Sequence, residues 1–231
     1  MNIIAENISK SYIKKGRKIR QVTAVQTTSA EFESGKLTVI FGRSGSGKTT
    51  LLNILSGLIK PTSGRVKYES KDIFTLNDSE LSKFRAENIG YIPQGQSSLG
   101  ALTVLENLLL PAALIGRNIP DNEVEEILKT VGLAELKDAY PNELSGGELR
   151  RLAIARALVN KPSVIFADEP TNDLDDENTQ IIFELLKKTA EQGTAVISVT
   201  HDTTAADFAH KIYRMDAGVL TKQEGIKREI A

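Results

Sequence analysis

The stretch that decides the fold is Gly42-Arg43-Ser44-Gly45-Ser46-Gly47-Lys48-Thr49, which has the G-x-x-x-x-G-K-T spacing of a phosphate-binding loop. An apolar run over residues 37–41 precedes it and predicts a buried strand, and the apolar spacing over residues 50–56 predicts a helix after it. Glycines let backbone N–H groups converge on phosphate oxygens, and a helix N-terminus carries partial positive charge toward them. The three pieces together predict a nucleotide phosphate site.

Two side chains of this loop have predicted roles. Lys48 should reach the β- and γ-phosphates, and the Thr49 hydroxyl should ligate Mg²⁺. The alternative is a tight Gly/Ser turn before an ordinary helix, which the flanking strand and helix disfavour. The loop by itself does not identify the nucleotide or the process that its hydrolysis would drive.

The composition excludes several kinds of protein. The 231 residues are 40% hydrophobic and 26% charged, which is enough for one sizeable core, or for a core with a lobe attached. The formal net charge of −1 gives no field that would favour nucleic acid, and the absence of cysteine excludes disulfides and thiolate metal sites. Because neither a signal peptide nor a membrane-spanning run is visible, we expect a cytoplasmic protein.

The order of the predicted elements indicates an α/β fold. Residues 2–32 are typical of a small antiparallel sheet, and residues 96–160 are typical of a helical lobe whose helices are capped by Thr103 and Asp121. Strands alternate with helices in the rest of the chain, which predicts a largely parallel, right-handed wound sheet. The clearest of these elements are the strands at 163–167 and 194–200 and the helix at 176–191.

Polar residues follow three predicted strands at the point where each strand ends. Asp168 and Glu169 follow one strand, and His201 and Gln94 follow two others. The carboxyl ends of parallel strands collect ligand-facing side chains, so Asp168 should hold Mg²⁺ and Glu169 should act as general base on the attacking water. His201 would contact the γ-phosphate, and the Gln94 amide would sense Mg²⁺ and water. The alternatives are solvated carboxylates for the acids and a capping or packing role for the histidine.

A second glycine-containing segment, Leu144-Ser145-Gly146-Gly147-Glu148, begins another predicted helix. Exposed backbone N–H groups at a helix N-terminus form a second anion site. Since one γ-phosphate does not need two such sites from distant parts of one chain, the economical explanation is that this segment serves the nucleotide of another copy.

The ordered set of motifs resembles the ATP-binding cassette (ABC) ATPase family over essentially the whole chain. The residues that carry the resemblance are Tyr12, 42–49, Gln94, 144–148, 164–169, Asn172-Asp173-Leu174-Asp175 and His201. The resemblance implies a single nucleotide-binding domain over residues 1–231. Its P-loop NTPase (RecA-like) core and N-terminal antiparallel β-subdomain would comprise 1–94 and 161–231, and an inserted α-helical subdomain would comprise 95–160.

The resemblance also assigns residues to ATP and Mg²⁺. Tyr12 would stack on adenine, Thr49 and Gln94 would coordinate Mg²⁺ with Asp168 alongside, and Lys48 would bind the phosphates. The remaining nucleotide-binding positions would be Gly42, Arg43, Ser44, Gly45, Ser46, Gly47 and Thr50.

The same resemblance implies two domains packed head to tail, as a homodimer or with a similar cassette. Glu169 would be the catalytic base and His201 the γ-phosphate switch, while Asp175 would lie in a loop that links the two sites. The partner's ATP would be contacted by the signature segment, namely Leu144, Ser145, Gly146, Gly147 and Glu148.

Further motifs are similar to the lipoprotein-releasing and macrolide-exporter ATPases. These are residues 51–58, 61–64, 105–107 with Pro111, and 167–171, although Glu148 replaces the commoner Gln and Asn172-Asp173 replaces the more usual Gly-Asn. The similarity implies a separate integral membrane permease as partner, docked near 94–102, and a place on the inner face of the cell membrane. The alternatives are an importer ATPase and a non-transport ABC ATPase in DNA repair or translation.

Overall fold

The computed structural model describes residues 1–14 and 20–223. Its strands are β1 (Ile3–Lys14), β2 (Arg20–Phe32), β3 (Leu37–Phe41), β4 (Ser63–Tyr68), β5 (Lys71–Asp72), β6 (Ile89–Ile92), β7 (Val164–Asp168), β8 (Ala195–Thr200), β9 (Lys211–Asp216) and β10 (Val219–Gln223). Its α-helices are α1 (Lys48–Leu55), α2 (Asp78–Asn88), α3 (Val104–Ala113), α4 (Asp121–Thr130), α5 (Gly146–Leu158) and α6 (Asp176–Glu191).

The strands form two sheets, as the sequence predicts. The larger sheet has the order β10-β9-β3-β8-β7-β6, in which β9, β3, β8, β7 and β6 run parallel and β10 pairs antiparallel at one edge. The smaller sheet, β2-β1-β4-β5, is antiparallel throughout. The predicted α/β class, with an antiparallel sheet beside a largely parallel one, is therefore confirmed.

Side chains of β3 alternate between two hydrophobic cores. Val39 and Phe41 belong to the core shared with the helices of the 96–160 region and with α6. Ile40 belongs to the other core, which contains Leu51 and Leu52 of α1 together with residues of both sheets. Because α1 is packed between the two sheets, the loop that precedes it is fixed at the edge where the sheets meet.

Helices α3 and α4 of the 96–160 region differ in how their N-termini are capped. Thr103 caps α3 as predicted: its hydroxyl accepts from the N–H of Glu106, and the Glu106 carboxylate accepts from the N–H of Thr103. The predicted cap of α4 is wrong. Asp121 is the first helical residue, and extended Pro120 occupies the capping position with no side-chain hydrogen bond. A proline in front of the helix fixes the entry of the chain without a polar cap.

Helix α5 joins the helical region to the main sheet. A Cβ built on Gly90 of β6 would lie 2.5 Å from the carbonyl oxygen of Ala157, so strand and helix are in backbone contact. The helical region thus shares one continuous core with the sheet. The division at 95–160 stays a prediction, and its outer limit at 231 lies outside the described residues. Among the residues described, no helix is both long and apolar enough to traverse a bilayer.

Candidate active site

The parallel strands bring their carboxyl ends to one edge of the main sheet, where a cavity of ≈ 570 Å³ opens. Most of the side chains predicted for nucleotide binding and catalysis meet there. The cavity is lined by Ala24, Arg43, Ser44, Gly45, Gly47, Lys48, Thr49, Thr50, Gln94, Glu169 and His201. Asp168 lies directly beside it, within hydrogen-bonding distance of Thr49.

The phosphate loop is held from behind by two other parts of the chain. Gly47 has a φ of 109°, and a Cβ built on it would lie 2.1 Å from the carbonyl oxygen of Ala24 in β2. The turn between β9 and β10 supports the loop from the other side, because the N–H of Gly218 donates to the Ser46 carbonyl at 2.9 Å. A side chain at position 47 would therefore push the loop off its support.

Lys48 lies within the loop, with only 6% of its side chain exposed. Its ammonium donates to the carbonyl oxygens of Gly42 at 2.6 Å and Arg43 at 3.3 Å, and it pairs with Glu169 at 3.2 Å. Burial of an ammonium group is costly unless it is paired with an anion. The Glu169 carboxylate supplies that anion in this arrangement, and a nucleotide phosphate has the same charge sign.

Glu169 connects Lys48 to His201. One carboxylate oxygen faces Lys48, and the other is 2.9 Å from Nδ1 of His201 and accepts the backbone N–H of His201 at 3.2 Å. The backbone of Glu169 has a φ of 47°, an uncommon conformation for a residue with a side chain. Its own N–H donates to the carbonyl of Val199 on β8, which holds this conformation in place.

The Thr49 hydroxyl and the Asp168 carboxylate form an oxygen pair next to the cavity. Thr49 Oγ1 donates to Asp168 Oδ1 at 3.2 Å. Burial raises the pKa of Asp168, the Thr49 hydrogen bond opposes this rise, and the neighbouring Glu169 charge adds to it. A divalent cation at this position would favour the ionised carboxylate. With the Gln94 amide at the same cavity, the oxygen donors fit Mg²⁺, which prefers hard oxygen ligands.

Several predicted nucleotide contacts do not line this cavity, and two of them, Gly42 and Ser46, belong to the phosphate loop itself. Tyr12 lies on β1 opposite Val22, 37% exposed, and the Lys10 ammonium is 5.3 Å from the centre of its ring. Its stacking on adenine stays a prediction. In the described chain, the signature segment 144–148 is also absent from the lining of the cavity.

The signature segment has a rigid local structure at the start of α5. Ser145 caps the helix, and its N–H and hydroxyl both donate to the Glu148 carboxylate at 2.7 Å. A Cβ on Gly147 would lie 2.1 Å from Oδ1 of Asn178, whose amide donates to the Asp175 carboxylate at 2.9 Å. Asp175 itself caps α6. A Cβ at position 147 would therefore displace the Asn178 side chain from its hydrogen bond with Asp175.

Sequence reasoning missed two residues next to these motifs. Asn178 fills the space beside Gly147, and Arg150 reaches back from α5 to the carbonyls on both sides of Gln94. A signal for Arg150 was present in the sequence, because it shares the 3–4 spacing of Ala153, Ile154 and Ala157 and therefore lies on their buried face. The partner of Asn178 depends on tertiary packing, which spacing alone does not give.

Comparison with protein-family models gives a match to the model described as "ABC transporter" over residues 25–172. The ABC transporter ATP-binding protein YtrE of Bacillus subtilis is 40% identical over 210 residues, which are 90% of each chain. The lipoprotein-releasing system ATP-binding protein LolD of Saccharophagus degradans is 40% identical over 220 residues, 94% of this chain and 95% of the relative. The predicted similarity to lipoprotein-releasing ATPases is thereby confirmed.

Solved structures give the same result. The ATP-binding cassette MJ0796, in a dimeric post-hydrolysis state bound to ADP and phosphate, has a TM-score of 0.84 and 37% identity. The alignment covers 97% of this chain and all of that one. A second dimeric structure of the same cassette gives a TM-score of 0.83.

Proposed function

Because the chain belongs to the ABC transporter family of ATP-binding proteins, we propose that it is the ATP-hydrolysing subunit that powers a separate membrane permease. One observation carries the proposal: Lys48, Gln94, Glu169 and His201 line a single cavity at the phosphate loop. Hydrolysis needs a phosphate ligand, a base and a group that contacts the γ-phosphate, all held close together. In this cavity Lys48, Glu169 and His201 would fill these three roles.

The residues of the cavity have separate roles. Lys48 leaves Glu169 and binds the β- and γ-phosphates, which frees the carboxylate to accept a proton from the attacking water. His201, now paired with Glu169, contacts the γ-phosphate. Thr49, Asp168 and Gln94 would hold Mg²⁺, which would supply positive charge to neutralise the phosphate oxygens. Tyr12 stacks on the adenine, outside the cavity itself.

The active form is a head-to-tail dimer in which each cavity is completed by the partner. Ser145, Gly146 and Gly147 of one copy contact the γ-phosphate held by the other, through backbone N–H groups at the N-terminus of α5. The separation of this segment from the cavity within one chain supports this arrangement. Asp175, at the start of α6 beside Gly147, links the two sites.

Mixed dimers test this arrangement. Ser145→Arg blocks the signature segment, and Lys48→Ala removes the phosphate ligand, so neither variant alone forms an intact site. A mixed dimer has one intact site of two, so an equal mixture should recover roughly a quarter of the wild-type rate of ATP hydrolysis. A mixture that forms dimers yet remains as inactive as its components contradicts sites shared between copies.

The transport direction that we propose is export or lipoprotein release, through a four-helix permease of the mechanotransmission type. Two relatives support it: the lipoprotein-releasing protein LolD, and the bacitracin export protein BceA of Halalkalibacterium halodurans, which is 38% identical over 222 residues. The chain then lies on the inner face of the cell membrane, held there by its permease.

Co-purification from detergent-solubilised membranes tests the partnership. Glu169→Gln should retain ATP and its permease, whereas Lys48→Ala, which cannot close around ATP, serves as the matched control. The expected result is an integral membrane protein that is enriched with Glu169→Gln in the presence of ATP. Recovery of a DNA-repair or ribosomal complex would contradict the transport function, and recovery of an importer permease would contradict the direction.

A further inference from the structure

Arg150 makes the only described side-chain hydrogen bonds to the two backbone carbonyls that flank Gln94. It lies on α5, about one helical turn beyond the signature glycines. Its Nη1 atom donates to the carbonyl of Pro93 at 3.2 Å and to the carbonyl of Gly95 at 2.8 Å. A single guanidinium nitrogen thus holds the backbone on both sides of a residue that lines the active-site cavity.

The environment of Arg150 makes this contact tight. The residue is 8% exposed, and burial lowers the pKa of its guanidinium, while the negative charge of Asp173 acts in the opposite direction. Asp173 and Gly146 line the same cavity of ≈ 220 Å³ as Arg150. Three segments therefore meet at this side chain: the start of α5, the Gln94 loop and the loop after β7.

A buried guanidinium is costly unless its donors have acceptors, and hydrogen bonds to a charged group are stronger than neutral ones. Loss of Arg150 would remove the side-chain donor that holds the carbonyls of Pro93 and Gly95. The backbone on both sides of Gln94 would then lose its link to α5, while the contact of Arg156 with Ser97 would remain.

We infer that Arg150 is a positioning residue that links the signature segment of one copy to Gln94 in the active site of that same copy. Because α5 is rigid over one turn, a movement of Ser145 to Gly147 toward the partner's nucleotide carries the guanidinium with it. The flanking carbonyls follow, and Gln94 changes its place in the cavity. This inference rests on the proposed function, since it needs a nucleotide at both sites.

A neighbouring arginine provides the matched control. Arg156 lies on the same helix and donates to the carbonyl of Ser97, three positions beyond Gln94. Burial lowers the pKa of its guanidinium too. Arg156→Met therefore removes a guanidinium group from α5, as Arg150→Met does. In Arg156→Met, however, Arg150 still donates to the carbonyls of Pro93 and Gly95.

The test uses a spin label on the Gln94 loop, which the absence of cysteine from the chain makes simple. Gln96→Cys is labelled in a Glu169→Gln background, so that ATP binds without turnover. We expect ATP to change the label's EPR spectrum in the protein that retains both arginines and in the Arg156→Met control. In Arg150→Met, ATP should leave the spectrum unchanged. Arg150→Lys, which retains a donor, should restore part of the change.

Activity provides the second readout, measured on unlabelled protein with Glu169 intact. Arg150→Met should lower kcat about tenfold, as the loss of a group that orients a metal ligand commonly does, with the affinity for ATP in EDTA unchanged. Arg156→Met should retain kcat. If Arg150→Met proves unstable, Arg150→Lys should show the same changes at smaller amplitude.

Two results would overturn the inference. One is a normal ATP-induced spectral change together with normal kcat in a folded Arg150 variant, and the other is an equal loss in Arg156→Met. Failure of the proposed function would give a different result, because the wild-type protein would then neither bind nor hydrolyse ATP.

Discussion

Glu169→Gln is expected to destabilise the protein without nucleotide and to make nucleotide more stabilising than in the wild type. The substitution neutralises one partner of a pair whose side chains are only 6% and 10% exposed, and it leaves the Lys48 ammonium with carbonyl oxygens as its partners. Breaking a fully buried pair costs about 3–5 kcal/mol. The amide of glutamine still accepts hydrogen bonds, so about 2 kcal/mol is expected here.

Thermal unfolding measures this effect. For a chain of this length, about 2 kcal/mol corresponds to a fall in Tm of about 4–8 °C without nucleotide. Neither protein hydrolyses ADP. Its phosphates bring negative charge to Lys48 and so replace the negative charge of the Glu169 carboxylate. The rise in Tm on addition of saturating ADP should therefore be greater in Glu169→Gln, and the difference between the two proteins should shrink.

A surface substitution provides the control. Glu125→Gln neutralises one side of an exposed pair with Lys129, in which both side chains are more than two-thirds exposed, and such pairs contribute little. An unchanged Tm in Glu169→Gln, or an equal ADP-induced rise in both proteins, would refute the stabilising role of the Lys48–Glu169 pair. ATP turnover at the wild-type rate would separately refute Glu169 as the general base, whose loss costs about 10²–10⁴-fold.

Two further predictions concern packing and pH. Gly147→Ala should cost about 1 kcal/mol in urea unfolding, because its Cβ displaces the Asn178 side chain from its hydrogen bond with Asp175. Asn178→Ala in the same chain should recover most of that loss, and a purely additive double variant would contradict the contact. Burial lowers the pKa of His210, with the Lys36 charge adding to this effect, and Nδ1 of His210 accepts the N–H of Leu37 at 3.0 Å. The imidazole of His210 therefore binds a proton more tightly in the unfolded chain than in the folded one. Neutral His210 contributes its full stabilisation above the unfolded pKa of about 6.5, and this contribution is lost as the pH falls through the lower folded pKa. His210→Asn, which retains an acceptor, should flatten the dependence of unfolding free energy on pH between about 7 and 5, and an unchanged slope would contradict it.

Elements with strong local signals were predictable from the sequence. Helix α6 occupies residues 176–191 as predicted, because an acidic start and an amphipathic face specify it without help from the rest of the fold. The phosphate loop was equally clear, since its glycines and the flanking strand and helix are contiguous. The gathering of Gln94, Glu169 and His201 followed from parallel strands, whose carboxyl ends share an edge.

Contacts between distant segments were not predictable in the same way. The pairing of Lys48 with Glu169 depends on the orientation of two side chains in a common interior, and no spacing in the sequence encodes it. The contact of Asn178 with Gly147 depends on how two helices pack. The start of α4 was predicted wrongly because a proline and an aspartate, both common at helix starts, stand next to each other.

The support of the phosphate loop by the turn between β9 and β10 has a consequence for how the protein is made. The loop leaves the ribosome before β8, whereas Gly218, whose N–H donates to Ser46, leaves it after β8. The same turn also ties the loop to β2, because its carbonyl accepts the N–H of Gln26. A nascent chain that ends at β8 holds the loop sequence without this backing. Tight capture of ATP is therefore expected only after synthesis has passed the turn between β9 and β10.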